Sequence, residues 1–294
     1  MVSMLSNRRF VFLSLLVCTV FLAGCFAGGV QAQAAQDPGR AGLGVFSWHR
    51  TNASDEKAAR AMFETLVSVG ASEVYQIMGG KTAAFFWERA KELRIDVYVL
   101  AGTENWGLDT NARQMLRQVD NTAKLMTQMG EDGPAGLMLD VEPYLTDDYK
   151  KNPEGTMQKY LEAMRKTYAH AREKGVFLIL CIPHFYDVLG HAGVLDALIT
   201  EACDAVAVMN YQKHDESGQI KTEMAAARQA GKRLIHIYEL QRPGLYDLTE
   251  RNTYHLDGLP AVWESRDRLQ AYFDYEGLSF ALHDYTALRE VIAR

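Results

Sequence analysis

From residue 43 onward the chain alternates short apolar runs with longer stretches whose apolar residues recur every three or four positions. Short apolar runs of this kind are strands buried on both faces, and the longer pattern is a helix with one buried stripe. Strands are predicted at 43–48, 73–77, 96–100, 136–141, 176–182, 205–209, 233–238 and 278–282. Helices are predicted at 55–69, 82–93, 110–129, 156–174, 194–202, 223–230, 263–273 and 287–293. Gly70, Gly130, Gly175 and Gly231 each follow a helical stretch, where a C-terminal cap favours glycine. Eight strands alternating with eight helices over about 250 residues is what a (β/α)8 TIM barrel requires. The fold class is therefore α/β, as one barrel domain over residues 41–294. A doubly wound open sheet is the alternative, but its glycine-rich first turn is missing from residues 44–49 (GVFSWH). The longest irregular stretch, 241–259, follows the seventh strand, which places it on the C-terminal face as a lid or subsite wall.

Ahead of the barrel lies a segment of a different kind. Arg8 and Arg9 precede an apolar run over residues 10–23, shorter than a comfortable membrane span. Residues 1–24 are read as a signal peptide. The segment ends in Leu22-Ala23-Gly24-Cys25, which resembles the lipobox of bacterial lipoproteins; that resemblance implies lipidation of Cys25 and a membrane-anchored protein of the envelope. Cleavage after Ala32 or Ala34 is the rival, giving a soluble periplasmic or secreted protein. Residues 25–40, rich in Ala, Gln and Gly, form a flexible tether.

Composition narrows the partners. The chain has 294 residues, is 48% hydrophobic and carries a formal net charge of −6. An acidic balance argues against nucleic acid, whose phosphates call for a basic surface, and leaves neutral or cationic ligands open. Cys181 and Cys203, the cysteines of the barrel, fall near opposite ends of neighbouring strands and are expected as buried thiols, not a disulfide. The histidines show neither H-x-H nor H-E-x-x-H spacing, so no metal or other cofactor is expected.

The chemistry concentrates on the fourth strand. Its apolar run meets Asp140 and Glu142, and Pro143 closes it. Residues two apart share a face, so both acids point the same way at the strand's C-terminal end, where barrels do their chemistry. Adjacent carboxyls repel, which can hold one of them protonated near neutrality and ready for general acid catalysis. A lone D-x-E that merely caps the following helix is the plain alternative. The other strand ends add Trp48, His49, Gln76, Trp106, Tyr144, His184, Asn210, Tyr211, Gln212, Tyr238, Glu239, His283 and Asp284. Aromatic rings with hydrogen-bonding groups and central acids suit a sugar, whose C–H faces stack while its hydroxyls bond. Trp48 and Trp106 fit rim packing as well as sugar platforms, and Tyr144 could simply cover its strand end.

Residues 135–142 keep the glycine, the last Asp and the Glu of the D-G-x-D-x-D-x-E motif of glycoside hydrolase family 18, the chitinases and endo-β-N-acetylglucosaminidases. Met209 and Tyr211 keep two positions of that family's M-x-Y-[DN]. The barrel resembles a divergent branch of this clan. The resemblance implies a glycosidase acting on an amino-sugar polysaccharide or glycan, with Glu142 as general acid, and the signal peptide implies that it is exported. Asp140 and Tyr211 would orient an N-acetyl group whose oxygen attacks the anomeric carbon. The sequence departs from the motif at Ala135, Met138 and Gln212. Two alternatives stand beside it. Glu239, ending the seventh strand, could be the nucleophile of a retaining pair with Glu142. The protein could also bind carbohydrate without turnover.

Overall fold

The computed structural model describes residues 42–80 and 82–294. The signal peptide, Cys25 and the tether lie outside the described residues. Eight parallel strands close into a barrel in sequence order. They are β1 (Leu43–Ser47), β2 (Glu73–Ile77), β3 (Asp96–Ala101), β4 (Gly136–Asp140), β5 (Leu178–Pro183), β6 (Ala205–Met209), β7 (Arg233–Glu239) and β8 (Leu278–His283). The main helices are α1 (Glu56–Ser68), α2 (Ala84–Leu93), α3 (Arg113–Met129), α4 (Pro153–Lys174), α5 (Ala192–Glu201), α6 (Lys221–Ala230), α7 (Gly258–Phe273) and α8 (Tyr285–Ile292). This is the (β/α)8 architecture expected from the alternation. Among the described residues no helix is long and apolar enough to cross a membrane.

Local chemistry sets the element ends. Asp55, Asn152 and Asp284 cap α1, α4 and α8 by accepting from the backbone N–H groups of Ala58, Gly155 and Ala287. Asn152-Pro153 starts α4 three residues ahead of the predicted 156, because the Asn caps and the Pro is preset for the first turn. Gly175 and Gly231 close α4 and α6 in the left-handed region, at φ 70° and 64°. α7 begins at Gly258, five residues before the prediction, so Gly258 and Leu259 of the expected irregular stretch belong to the helix.

Strand alternation divides the apolar residues into two cores. Val45, Val74, Val97, Leu137, Leu180, Val206, Leu234 and Leu282 face the helices. Phe46, Tyr75, Tyr98, Met138, Ile179, Ala207, Ile237 and Ala281 fill the barrel. Cys181 and Cys203 are both buried and free, as expected. The N-terminal end of the barrel is sealed by a buried ion pair. Arg233 meets Glu73 at 2.6 Å, the Tyr75 hydroxyl donates to Glu73 at 2.8 Å, and Arg233 Nε donates to Ser279 at 2.8 Å. The C-terminal end is open.

Candidate active site

Above the inner core lies a bowl of about 960 Å³. Its floor is Phe46, Cys181, Met209 and Ile237, the last inward layer of the barrel. The next inward positions are Trp48, Asp140, Tyr211, Glu239 and His283, with Glu142 following on the loop, and all six line the bowl. His49, Tyr144 and Asp284 join them from the loops. An adjoining lobe of about 260 Å³ shares Glu142, Tyr144 and Tyr211 and is bordered by His184, Gln212 and Asn252.

The acids of β4 are held without a cation bonded to either. Burial, then the charge of Glu142, raises the pKa of Asp140 to about 7, against an opposing pull from His283. One oxygen of Asp140, Oδ1, is buried without a hydrogen-bond partner. Burial also raises the pKa of Glu142, opposed by the hydroxyl of Tyr144, which donates to Glu142 Oε1, and by His283. Two carboxyls that resist ionisation side by side titrate as a unit, and the pair keeps one proton close to neutral pH. Burial and the neighbouring Glu142 carboxylate push the Tyr144 hydroxyl well above its ordinary range, so Tyr144 remains a donor. Gly102 makes this geometry possible. A Cβ there would fall 1.7 Å from the carbonyl oxygen of Asp140, so any side chain would drive β3 away from the acid-bearing strand.

Across the bowl Glu239 belongs to a chain of hydrogen bonds. Trp48 Nε1–H donates to His283 Nε2 at 3.0 Å, and His283 Nδ1–H donates to Glu239 Oε2 at 2.9 Å. An indole nitrogen only donates, which fixes this tautomer. Glu239 Oε1 accepts from the Gln241 N–H at 2.7 Å. Burial lowers the pKa of His283, but Glu239, Asp284 and Asp140 outweigh it and the net direction is up. Protonating the ring costs the Trp48 bond. Tyr211 stands beside His283, with ring centroids 6.2 Å apart. Burial, followed by the charges of Glu239, Asp140 and Glu142, raises the pKa of its hydroxyl far above the ordinary range. His184 donates Nδ1–H to the Met209 carbonyl at 3.1 Å, and burial lowers its pKa, which leaves a neutral ring at the lobe.

Four expected ligand contacts are not brought to the bowl. Gln76 sits between inward residues of β2, so it faces outward and is fully buried; its amide donates to the carbonyls of His49 at 3.0 Å and Ile77 at 2.7 Å. It positions the loop bearing His49. Asn210 and Tyr238 also fall on the outward parity. Asn210 donates to the Glu216 carbonyl at 2.9 Å and to His236 at 3.1 Å, while Tyr238 donates to Ser265 at 3.1 Å. Trp106 packs against the outer core. Glu104 lines the bowl as its place after the third strand implies, and in return for the four the structure adds Arg242, Tyr246, Asp247 and Leu248 on the loop after β7. That loop was expected as a wall, but its polar residues carry no periodicity that singles out which of them face inward. Phe46 was readable, being two residues before Trp48 on the same face.

No protein-family model matches the sequence, and no curated protein matches it by sequence. Solved structures share the fold. The spore cortex-lytic enzyme SleL of Bacillus megaterium QM B1551 is similar at a TM-score of 0.52 and 10% identity, covering 85% of this chain and 73% of that one. A plant class V chitinase mutant from Cycas revoluta in complex with (GlcNAc)3 gives 0.50 and 12%, covering 85% and 97%. Beta-glucuronidase 2 of Bacteroides uniformis gives 0.51 and 11%, but this chain spans only 30% of it. The chain thus carries the closed parallel barrel on which these glycoside-cleaving enzymes are built.

Proposed function

We propose that the protein is a glycosidase acting on an amino-sugar glycan, with Glu142 as its general acid and base. The observation that carries this reading is the proton-sharing pair of Asp140 and Glu142 at the end of β4, inside a bowl with aromatic walls. In the free protein burial and Glu142 favour a proton on Asp140. An acetamide N–H bonded to the unpartnered Asp140 Oδ1 stabilises the ionised form and moves the proton to Glu142. Glu142 then protonates the glycosidic oxygen as its bond to the anomeric carbon breaks. The acetamide oxygen, held by the Tyr211 hydroxyl, closes on the carbon in place of an enzyme nucleophile. Water deprotonated by Glu142 opens the ring intermediate and returns the starting protonation. The chitinase that shares the fold holds (GlcNAc)3, which makes N-acetylated sugars the first substrates to try.

Glu239 supports this scheme better than the one with an enzyme nucleophile. Both of its oxygens are engaged, by His283 and the Gln241 backbone, which commits the carboxylate to a hydrogen-bond chain. Its role on this reading is to hold His283. Export and anchoring through Cys25 are part of the same proposal and rest on the sequence of residues 1–25 alone. Glycan release by the wild type and by Glu142→Gln, with binding measured in parallel, tests the activity. Release is expected to fall about 10³-fold while binding is retained. Equal binding with no release by either protein refutes the enzyme and leaves a carbohydrate-binding barrel.

A further inference from the structure

We infer that the bowl selects a partly de-N-acetylated glycan, in which protonated free amines flank the N-acetylated unit. The inference rests on the glycosidase reading and names its substrate class: a polycation, not a neutral or anionic polymer. It starts from the charges that face the ligand. Among the described residues lining the bowl, Arg242 is the one arginine or lysine, and Glu290 takes it at 2.8 Å. The ring of His283 is committed to Glu239. Asp284 is committed to the N-terminus of α8. With these set aside, Glu104, Asp140, Glu142 and Asp247 face the cavity without a partner cation.

These four acids are not equivalent. Asp140 and Glu142 lie deep and share a proton, and the buried, unpartnered Oδ1 of Asp140 calls for a donor from the ligand. Glu104 stands on the wall beyond β3. Its own backbone N–H and the Thr103 hydroxyl, at 2.8 Å, hold its pKa below the usual carboxylate range, so it is charged at any working pH. Asp247 stands on the opposite wall, beside the 85% exposed Tyr246. The two charges come from loops after β3 and β7, on opposite sides of the barrel mouth, so on this reading they meet the units that flank the N-acetylated one. A uronate or sulfate there meets carboxylates with no free cation to receive it. An ammonium at C2 of a flanking sugar meets a carboxylate, while the aromatic side chains take its ring faces. Because Glu104 and Asp247 are exposed, each contributes modestly and salt screens it, roughly two- to fivefold in affinity per carboxylate.

The test uses hexamers of glucosamine and of galactosamine, each fully N-acetylated or partly de-N-acetylated, at low and high ionic strength. The partly de-N-acetylated oligomer of the preferred series should show at least about fivefold higher kcat/KM at low salt, an advantage that shrinks toward unity at high salt. Glu104→Gln combined with Asp247→Asn should bring that advantage close to unity, through KM. Equal or better turnover of the fully acetylated oligomers at low salt overturns the inference. So does a double variant that affects both oligomers alike. Binding to Glu142→Gln separates this inference from the reading beneath it. Salt-sensitive preference for the cationic oligomer without turnover by the wild type refutes the glycosidase and keeps the ligand class. Turnover confined to acetylated oligomers refutes the ligand class alone, and binding of neither refutes both.

Discussion

At the N-terminal end of the barrel, Glu73 is buried against Arg233 at 2.6 Å and accepts the Tyr75 hydroxyl, so its charge is matched. At the C-terminal end, Asp140 and Glu142 sit together with a tyrosine hydroxyl and no bonded cation. The two ends use the same chemical group in opposite ways. Matching a buried carboxylate with arginine satisfies it and locks two strands together, which serves the fold. Leaving two carboxyls unmatched raises the energy of their charged forms and keeps a proton available, which serves proton transfer. The difference also assigns the consequences of mutation: changes at the bottom of the barrel should read out in stability, and changes at the top in activity.

The largest effect is expected at Glu142. Glu142→Gln should cost about 10³-fold in turnover with little change in urea midpoint. A large loss of stability would mean that the top end is structural too. Next comes Arg233→Met, which strands Glu73 in the barrel and should cost about 3–5 kcal/mol in urea unfolding. Adding Glu73→Gln should recover much of that, because the stranded charge is then gone. A protein indifferent to Arg233→Met would undo the contrast from the other side.

Asp140→Asn should act on both quantities in opposite directions. Its carboxyl is raised from 3.8 to about 7 in the fold. A folded-state pKa above the unfolded one means that stability is lost as pH rises between those values. The Asn variant lacks this penalty. It should match the wild type below the unfolded pKa and exceed it above neutrality, by about 1–2 kcal/mol after allowance for solvent reaching the bowl. Its turnover should fall about 10²-fold. The smallest effect is expected from Tyr144→Phe. Its hydroxyl opposes the rise in the pKa of Glu142, so losing it should move the basic limb of the kcat/KM profile to higher pH, with a change in rate of only a few fold. A limb that moves down contradicts the assigned hydrogen bond.

The fold was legible because hydrophobic spacing repeats eight times, and the closed barrel follows that repeat strand for strand. The acid pair was legible because Glu142 follows Asp140 by two residues where the strand ends, which keeps both on the bowl side. Three of the four misplaced contacts have the same origin, Trp106 lying instead on a short helix after β3. Reading every polar residue near a strand end as part of the bowl ignored parity. Gln76 follows inward Tyr75, Asn210 follows inward Met209, and Tyr238 follows inward Ile237, so all three turn to the helices. Counting from the inner core would have separated them from Tyr211 and Glu239. Gly102 and Asp247 were beyond that method. A close approach between two strands, and a loop residue at φ 60°, depend on tertiary packing that no local spacing encodes.

Asp140 and Glu142 hold one proton between them near neutral pH, and the whole assignment of the site depends on it. Carboxyl infrared difference spectra across a pH titration of the unliganded protein, taken for the wild type and for Asp140→Asn, test this without any substrate. A protonated carboxyl component that titrates around pH 7 is expected in the wild type and is lost or displaced in Asp140→Asn, while the component from buried Glu223, raised to about 8, stays in both. Identical carboxyl spectra for the wild type and Asp140→Asn across the titration would show that the pair holds no such proton.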